Sequence, residues 1–149
     1  MPRDILFLFL IALALFAMQA IGGVFQIRDY KKSIHRLHKL GNLGIGQKKG
    51  RMFNSYIVII ACDNNQMITG CEVLDGKTFL SKFHPQNKVG TVDIIGKSII
   101  DLQAELHLMD KKEKKYKGYL QALGALVMRF EHDKESQQAA MTSVSLVSQ

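Results

Sequence analysis

Residues 5–25 form a run of 21 positions without a charge, ILFLFLIALALFAMQAIGGVF, in which Gln19 is the strongly polar member. As a helix the run rises roughly 31 Å at ~1.5 Å per residue, the thickness of a ~30 Å hydrocarbon core. A soluble amphipathic helix keeps a polar face, and this run has none. The pattern predicts a transmembrane helix over 5–27 behind a short flank at 1–4. Gly22 and Gly23 do not break it, because membrane helices tolerate glycine. Beyond them Ile27, Tyr30, Ile34, Leu37 and Leu40 recur every three or four residues, with Arg28, Lys31, Lys32, His35 and Lys39 between them. That spacing predicts a basic amphipathic helix over 28–40, continuous with the span and stopped at Gly41-Asn42.

The pattern then changes period. Residues 41–51 read GNLGIGQKKGR, with four glycines in eleven positions, and predict a Gly-rich basic connector over 41–55. Tyr56–Cys62 (YIVIIAC) is apolar and largely β-branched, as in a strand buried on both faces. Asp63-Asn64-Asn65-Gln66 is turn chemistry, and 67–74 is the returning strand. Asp75-Gly76 is a two-residue hairpin sequence leading to an alternating strand over 77–83, which Pro85 ends. A fourth strand is expected at 87–95. The region 56–97 thus reads as an antiparallel β-meander.

Helical spacing returns at 98–131. Ser98 with Asp101 resembles a capping box ahead of Ile99, Leu102, Leu106 and Met109. A second helix over 110–131 is marked by Tyr116, Leu120, Leu123, Val127 and Phe130. Its first turns carry Lys111, Lys112, Lys114, Lys115 and Lys117, a run that reads as a solvated face. Residues 132–149 read as a tail, disordered or only weakly helical, with Ser, Gln and Ala abundant from Ser136 onward. The predicted class is α+β: a transmembrane helix running into a basic helix, a small antiparallel meander, and C-terminal helices.

Charge sharpens this layout. The 149 residues carry a formal net charge of +7. Residues 28–51 hold eight basic side chains against Asp29 alone, while 52–149 balance to zero. A basic cluster directly after an apolar span is a topology signal. It puts the N-terminus outside a cell membrane and 28–149 in the cytoplasm. The competing reading is a secretory signal peptide cleaved near Ala20-Ile21-Gly22. The long apolar run and the basic collar behind it speak against cleavage.

Little in the chain carries catalytic chemistry. The block at 41–51 fails the Walker A pattern, since Gln47 stands where Lys is required, and the dinucleotide pattern, since Lys49 stands at the third glycine. Cys62 and Cys71 make no CxxC and read as reduced core thiols. His35, His38, His84, His107 and His132 form no ligand set. No catalytic residue, metal site or cofactor site is expected, and the reading is not an enzyme. Arg28, Lys31, Lys32, Arg36, Lys39, Lys48, Lys49 and Arg51 remain as candidate contacts to DNA phosphates or anionic lipid.

The sequence also resembles the GutM family of glucitol operon activator proteins. The resemblance rests on Gly22-Gly23-x-Phe25-Gln26-Ile27 after an apolar run, and on GNLGIGQKKGR, similar to a block of the form G-x-x-G-x-G-x-x-x-G-R. The strand Tyr56–Cys62, Ile68-Thr69, Gly76-x-Thr78 and the Gly-led segment 96–102 continue it. The resemblance spans about 20–102 and implies a bacterial transcriptional activator of a sugar-alcohol (sorbitol) phosphotransferase operon. It defines no catalytic residues. It leaves open direct DNA contact by the basic flank, or action through a transcriptional regulator or a phosphotransferase transporter subunit. A non-enzymatic adaptor that docks on a membrane partner is the alternative.

Overall fold

The computed structural model describes residues 2–50, 55–76, 81–109 and 115–148. Helix α1 (Arg3–His38) is unbroken, so the apolar run and the amphipathic segment are one rod, as the spacing predicts. Its apolar part is bare: Phe7, Phe9, Phe16, Met18 and Phe25 are exposed, Phe16 by 72%. An exposed apolar surface of this size marks a face that meets a membrane or a protein partner. The last turns differ. Ser33 and Leu37 are buried, and Tyr30 and Ile34 pack beside them against the sheet.

The sheet runs in the order β1 (Asn42–Lys48), β2 (Tyr56–Cys62), β3 (Ile68–Asp75), β4 (His84–Pro85), all neighbours antiparallel. A two-rung hairpin, β5 (Lys88–Val89) with β6 (Val92–Asp93), stands apart. Helices α2 (Ile99–Met109) and α3 (Lys117–Val147) follow. The end of α1 covers one face of the sheet and α2 with α3 cover the other, giving three layers.

β2 is the centre of this arrangement. Because a strand alternates faces, Val58, Ile60 and Cys62 point into the core shared with Leu102, Leu106, Ala122, Leu123 and Leu126. Ile59 and Ala61 point into the smaller core beneath Leu37 and Phe83. Both sets are fully buried, as YIVIIAC predicts. Cys62 and Cys71 are buried and unbonded. Burial pushes the Cys62 thiol up to about 11 and the Cys71 thiol up to about 12, because a thiolate there would lose its water.

The α+β class stands, but several element boundaries need correction. The Gly-rich connector is in large part a strand, β1, paired residue for residue with β2 from Asn42↔Cys62 to Lys48↔Tyr56. Its glycines serve close approach. A Cβ on Gly46 would overlap the Gly118 carbonyl oxygen and meet the Ala122 nitrogen at 2.8 Å, and one on Gly44 would overlap the Ala122 carbonyl oxygen. Helix α3 therefore lies directly on the β1 backbone, which only side-chain-free positions permit.

The strand expected over 77–83 falls partly outside the described residues, and Ser81–Phe83 is not strand. Pro85, expected to end the meander, instead pairs with Glu72 on the sheet edge, where its missing N–H costs no ladder bond. The fourth strand over 87–95 is the two-rung hairpin, turned at Gly90 with φ +59°. The second C-terminal helix begins at Lys117 rather than 110, and 110–114 lie outside the described residues. The tail, expected to be disordered or only weakly helical, is helix as far as Val147. From Glu131 onward it is exposed on every side.

Candidate basic site at the end of the apolar helix

Register defines which residues share one end of the domain. Lys48 pairs with Tyr56 and Tyr56 with Asp75, so these three form the last rung of the sheet. α1 enters at that same end. Gln26, one residue past the apolar run, lines a cleft of ≈ 370 Å³ with Lys48, Lys49, Tyr56, Asp75 and Gly76. On the other flank of the helix a second cleft of ≈ 470 Å³ is lined by Phe25, Gln26, Arg28, Lys32, Ser81 and Lys82, together with Asp29. Gln26 belongs to both clefts, so α1 rises between them. Asp29 is already committed, its carboxylate accepting the Phe83 N–H at 2.8 Å. The second cleft is cationic because Arg28, Lys32 and Lys82 outnumber Asp29 in its lining.

The eight sequence-derived cations divide on this geometry. Arg28 and Lys32 come together with Lys82, and Lys48 and Lys49 lie across α1 from them. Lys31 is exposed on the same stretch of α1. Lys39 is exposed at the opposite end of the domain, in the C-cap of α1. Arg51 lies outside the described residues.

Arg36 stands apart from the other seven. Its guanidinium is already engaged in an ion pair within the domain. Its Nε and Nη2 donate to Glu72 Oε1 and Oε2 at 3.0 and 2.9 Å, and Nη2 also donates to Ser33 Oγ at 3.2 Å. The bond to Glu72 raises the Arg36 pKa further. The partner was not foreseen: Glu72 is the one acid in the otherwise uncharged stretch Ile68–Leu74, and a lone carboxylate on a buried strand requires a cation opposite it.

A family model described as glucitol operon activator protein (GutM) matches residues 7–118, well over half of the 149 residues. The chain belongs to the GutM family. The GutM match takes in the apolar helix from Phe7, every described strand, α2 and both clefts, and ends at Gly118, at the start of α3. No curated protein and no solved structure matches the chain. Among the described residues of this GutM protein no group of three or more His, Cys, Asp or Glu side chains is placed to hold a metal ion. All five histidines are exposed and scattered.

Proposed function

We propose that this protein is a single-pass, membrane-anchored GutM-type activator of a sugar-alcohol operon, with its N-terminus outside and residues 28–149 in the cytoplasm. The observation that carries the reading is the family match, because it joins the apolar helix and the sheet domain in one unit. α1 is long and apolar enough to cross a membrane, and the basic residues that follow it favour the cytoplasmic side.

The route we propose is indirect, through a regulator or a phosphotransferase transporter subunit. A helix that reads a major groove is exposed and bears donors for base edges. α2 buries Ile99, Leu102 and Leu106 and carries Asp101 and Glu105 outside the core. The exposed stretch of α3 after Phe130 begins Glu-His-Asp-Lys-Glu. Neither is a surface that DNA favours. The role is regulatory, and the chemistry is recognition of a partner.

Deletion of the gene, followed by measurement of the operon transcripts with and without glucitol, tests the reading. Loss of induction, restored by the full chain, is expected. Induction that survives deletion would sink it. A pure adaptor role, favoured by the bare helical extension Glu131–Val147 beyond the family match, predicts unchanged transcripts and crosslinking to a membrane protein.

A further inference from the structure

The basic residues form two runs in the chain, 28–51 and 111–117, separated by a stretch, 52–110, in which seven acidic side chains outnumber four basic ones. The fold brings the described part of the second run to the first. Tyr56, on the last rung of the sheet, donates its hydroxyl hydrogen to the Lys115 carbonyl at 2.6 Å and accepts the Gly118 N–H at 3.1 Å. A third cleft, ≈ 250 Å³, is lined by Lys48, Tyr56, Asp75, Gly90, Lys115 and Tyr116. It shares Lys48, Tyr56 and Asp75 with the first cleft, which shares Gln26 with the second. Three clefts therefore adjoin at one end of the domain, Lys82 and Lys115 join the collar in their linings, and Lys117 precedes the Gly118 whose N–H Tyr56 accepts.

We infer that this end of the domain is a cationic platform that lies on an anionic phospholipid surface, with headgroup phosphates as its ligands. The inference rests on the membrane-anchored reading above. Position favours lipid over nucleic acid. Arg28 sits three residues past Phe25, roughly 4.5 Å along the helix axis, within one Debye length of about 8 Å from the end of the apolar surface. α1 also projects out of the platform, since Gln26 lines clefts on both of its flanks. A rod-like duplex cannot lie flat across a surface from which a helix rises. Headgroups surround such a helix of necessity. The acids of the platform do not cancel it: Asp29 and Asp75 line the three clefts against Arg28, Lys32, Lys48, Lys49, Lys82 and Lys115, and nearby Asp93 pairs with Lys88 at 3.5 Å.

The test uses the full chain in nanodiscs of phosphatidylcholine, with or without phosphatidylglycerol. A nitroxide is placed on Thr91→Cys, in the exposed turn beside Gly90, on Met141→Cys, far along α3, or on Phe16→Cys. Cys62 and Cys71 are buried, and unlabelled wild type checks that they stay silent. Relaxation enhancement by nickel-chelating lipid reads the distance to the headgroups. At Thr91 the enhancement should rise roughly threefold or more with phosphatidylglycerol, and fall back at high salt, in K115E/K117E and, independently, in K82E. At Met141 it should not change. Equal enhancement at Thr91 in both bilayers, while the Phe16 label reports a lipid environment, overturns the platform and leaves the anchor standing. A Phe16 label outside lipid overturns the anchor and the platform together. Duplex DNA that binds the chain in neutral nanodiscs and loses affinity in K115E/K117E would assign the platform to nucleic acid and overturn the inference.

Discussion

Arg36 and Glu72 lock the end of the apolar helix onto the sheet through two parallel hydrogen bonds of 3.0 and 2.9 Å. The two partners are unequally placed: the Arg36 side chain is 57% exposed and that of Glu72 only 7%. Glu72 projects from β3 toward α1, opposite Ile59 on β2 and Pro85 on β4. Removing the arginine strands a buried carboxylate, whereas removing the carboxylate leaves a guanidinium that can turn to water. Arg36→Ala should therefore destabilise the domain by about 1–3 kcal/mol, more than Glu72→Gln does. The double variant should cost less than the two single changes added. Chemical unfolding in detergent micelles, followed by circular dichroism, reads all three. Equal losses in the two single variants would mean that burial of Glu72 is not what the pair compensates.

The glycines of β1 give a sharper contrast. Gly46→Ala forces a methyl group into the Gly118 carbonyl and the Ala122 nitrogen. Both obstacles are backbone of one helix, so relief requires α3 to move as a body. The expected cost is about 1–3 kcal/mol or more. Gly23→Ala, in the apolar part of α1, meets nothing within 4 Å and should leave stability unchanged or slightly raised. The same measurement separates them, and a Gly46→Ala protein as stable as wild type would refute the close packing of α3 on β1.

That contrast also explains what could be read from the chain alone. YIVIIAC declares a doubly buried strand because its side chains are its evidence. GNLGIGQ does not declare one, because the reason for its glycines is a helix more than 70 residues later, and a loop and a closely packed strand use the same residue. The helix at 117–130 is visible in the spacing of Tyr116, Leu120, Leu123 and Val127. In its extension to Val147 only Met141, Val144 and Val147 keep a helical spacing, after a polar stretch, and among the described residues the extension is exposed throughout. The charged site was half legible. Counting charge by segment finds the collar at 28–51 but counts Arg36 within it, and passes over Lys82, Lys115 and Lys117. The placement of those three depends on the hairpin order and on Tyr56, neither of which a local count registers.

Tyr56 supports a prediction of its own. Its hydroxyl takes the Gly118 N–H, one of the amides that a helix start leaves without a partner, and gives its hydrogen to the Lys115 carbonyl. Tyr56→Phe keeps the ring contact with Tyr119 at 5.5 Å and removes both bonds. The loss should be about 1–2 kcal/mol and local. Amide exchange at Gly118 and Tyr119 should quicken while the β2 amides around Ile59 keep their protection. Uniform acceleration across the sheet would show instead that the hydroxyl contributes to global stability and does not merely pin the start of α3.

Alkaline pH should loosen the core by a route that the buried thiols set. Cys62 and Cys71 are pushed up to about 11 and about 12 from 9.0 by burial, and burial raises Tyr119 as well. Below pH 9 both the folded and the unfolded chain hold these thiol protons, and the groups contribute no pH dependence. Above pH 9 the unfolded chain releases thiol protons while the folded chain keeps them. The unfolded state then binds fewer protons, so stability falls as pH rises, by at most about 1.4 kcal/mol per pH unit for each thiol. The fall continues until the folded-state pKa values are reached. Thermal midpoints measured between pH 8 and 11 in micelles should be level at first and then decline. Cys71→Ala removes the more strongly shifted thiol, so its decline above pH 9 should be visibly shallower than that of wild type, whatever its midpoint at pH 8. Parallel slopes in the two proteins would locate the alkaline sensitivity elsewhere, with Tyr119 as the next group to substitute.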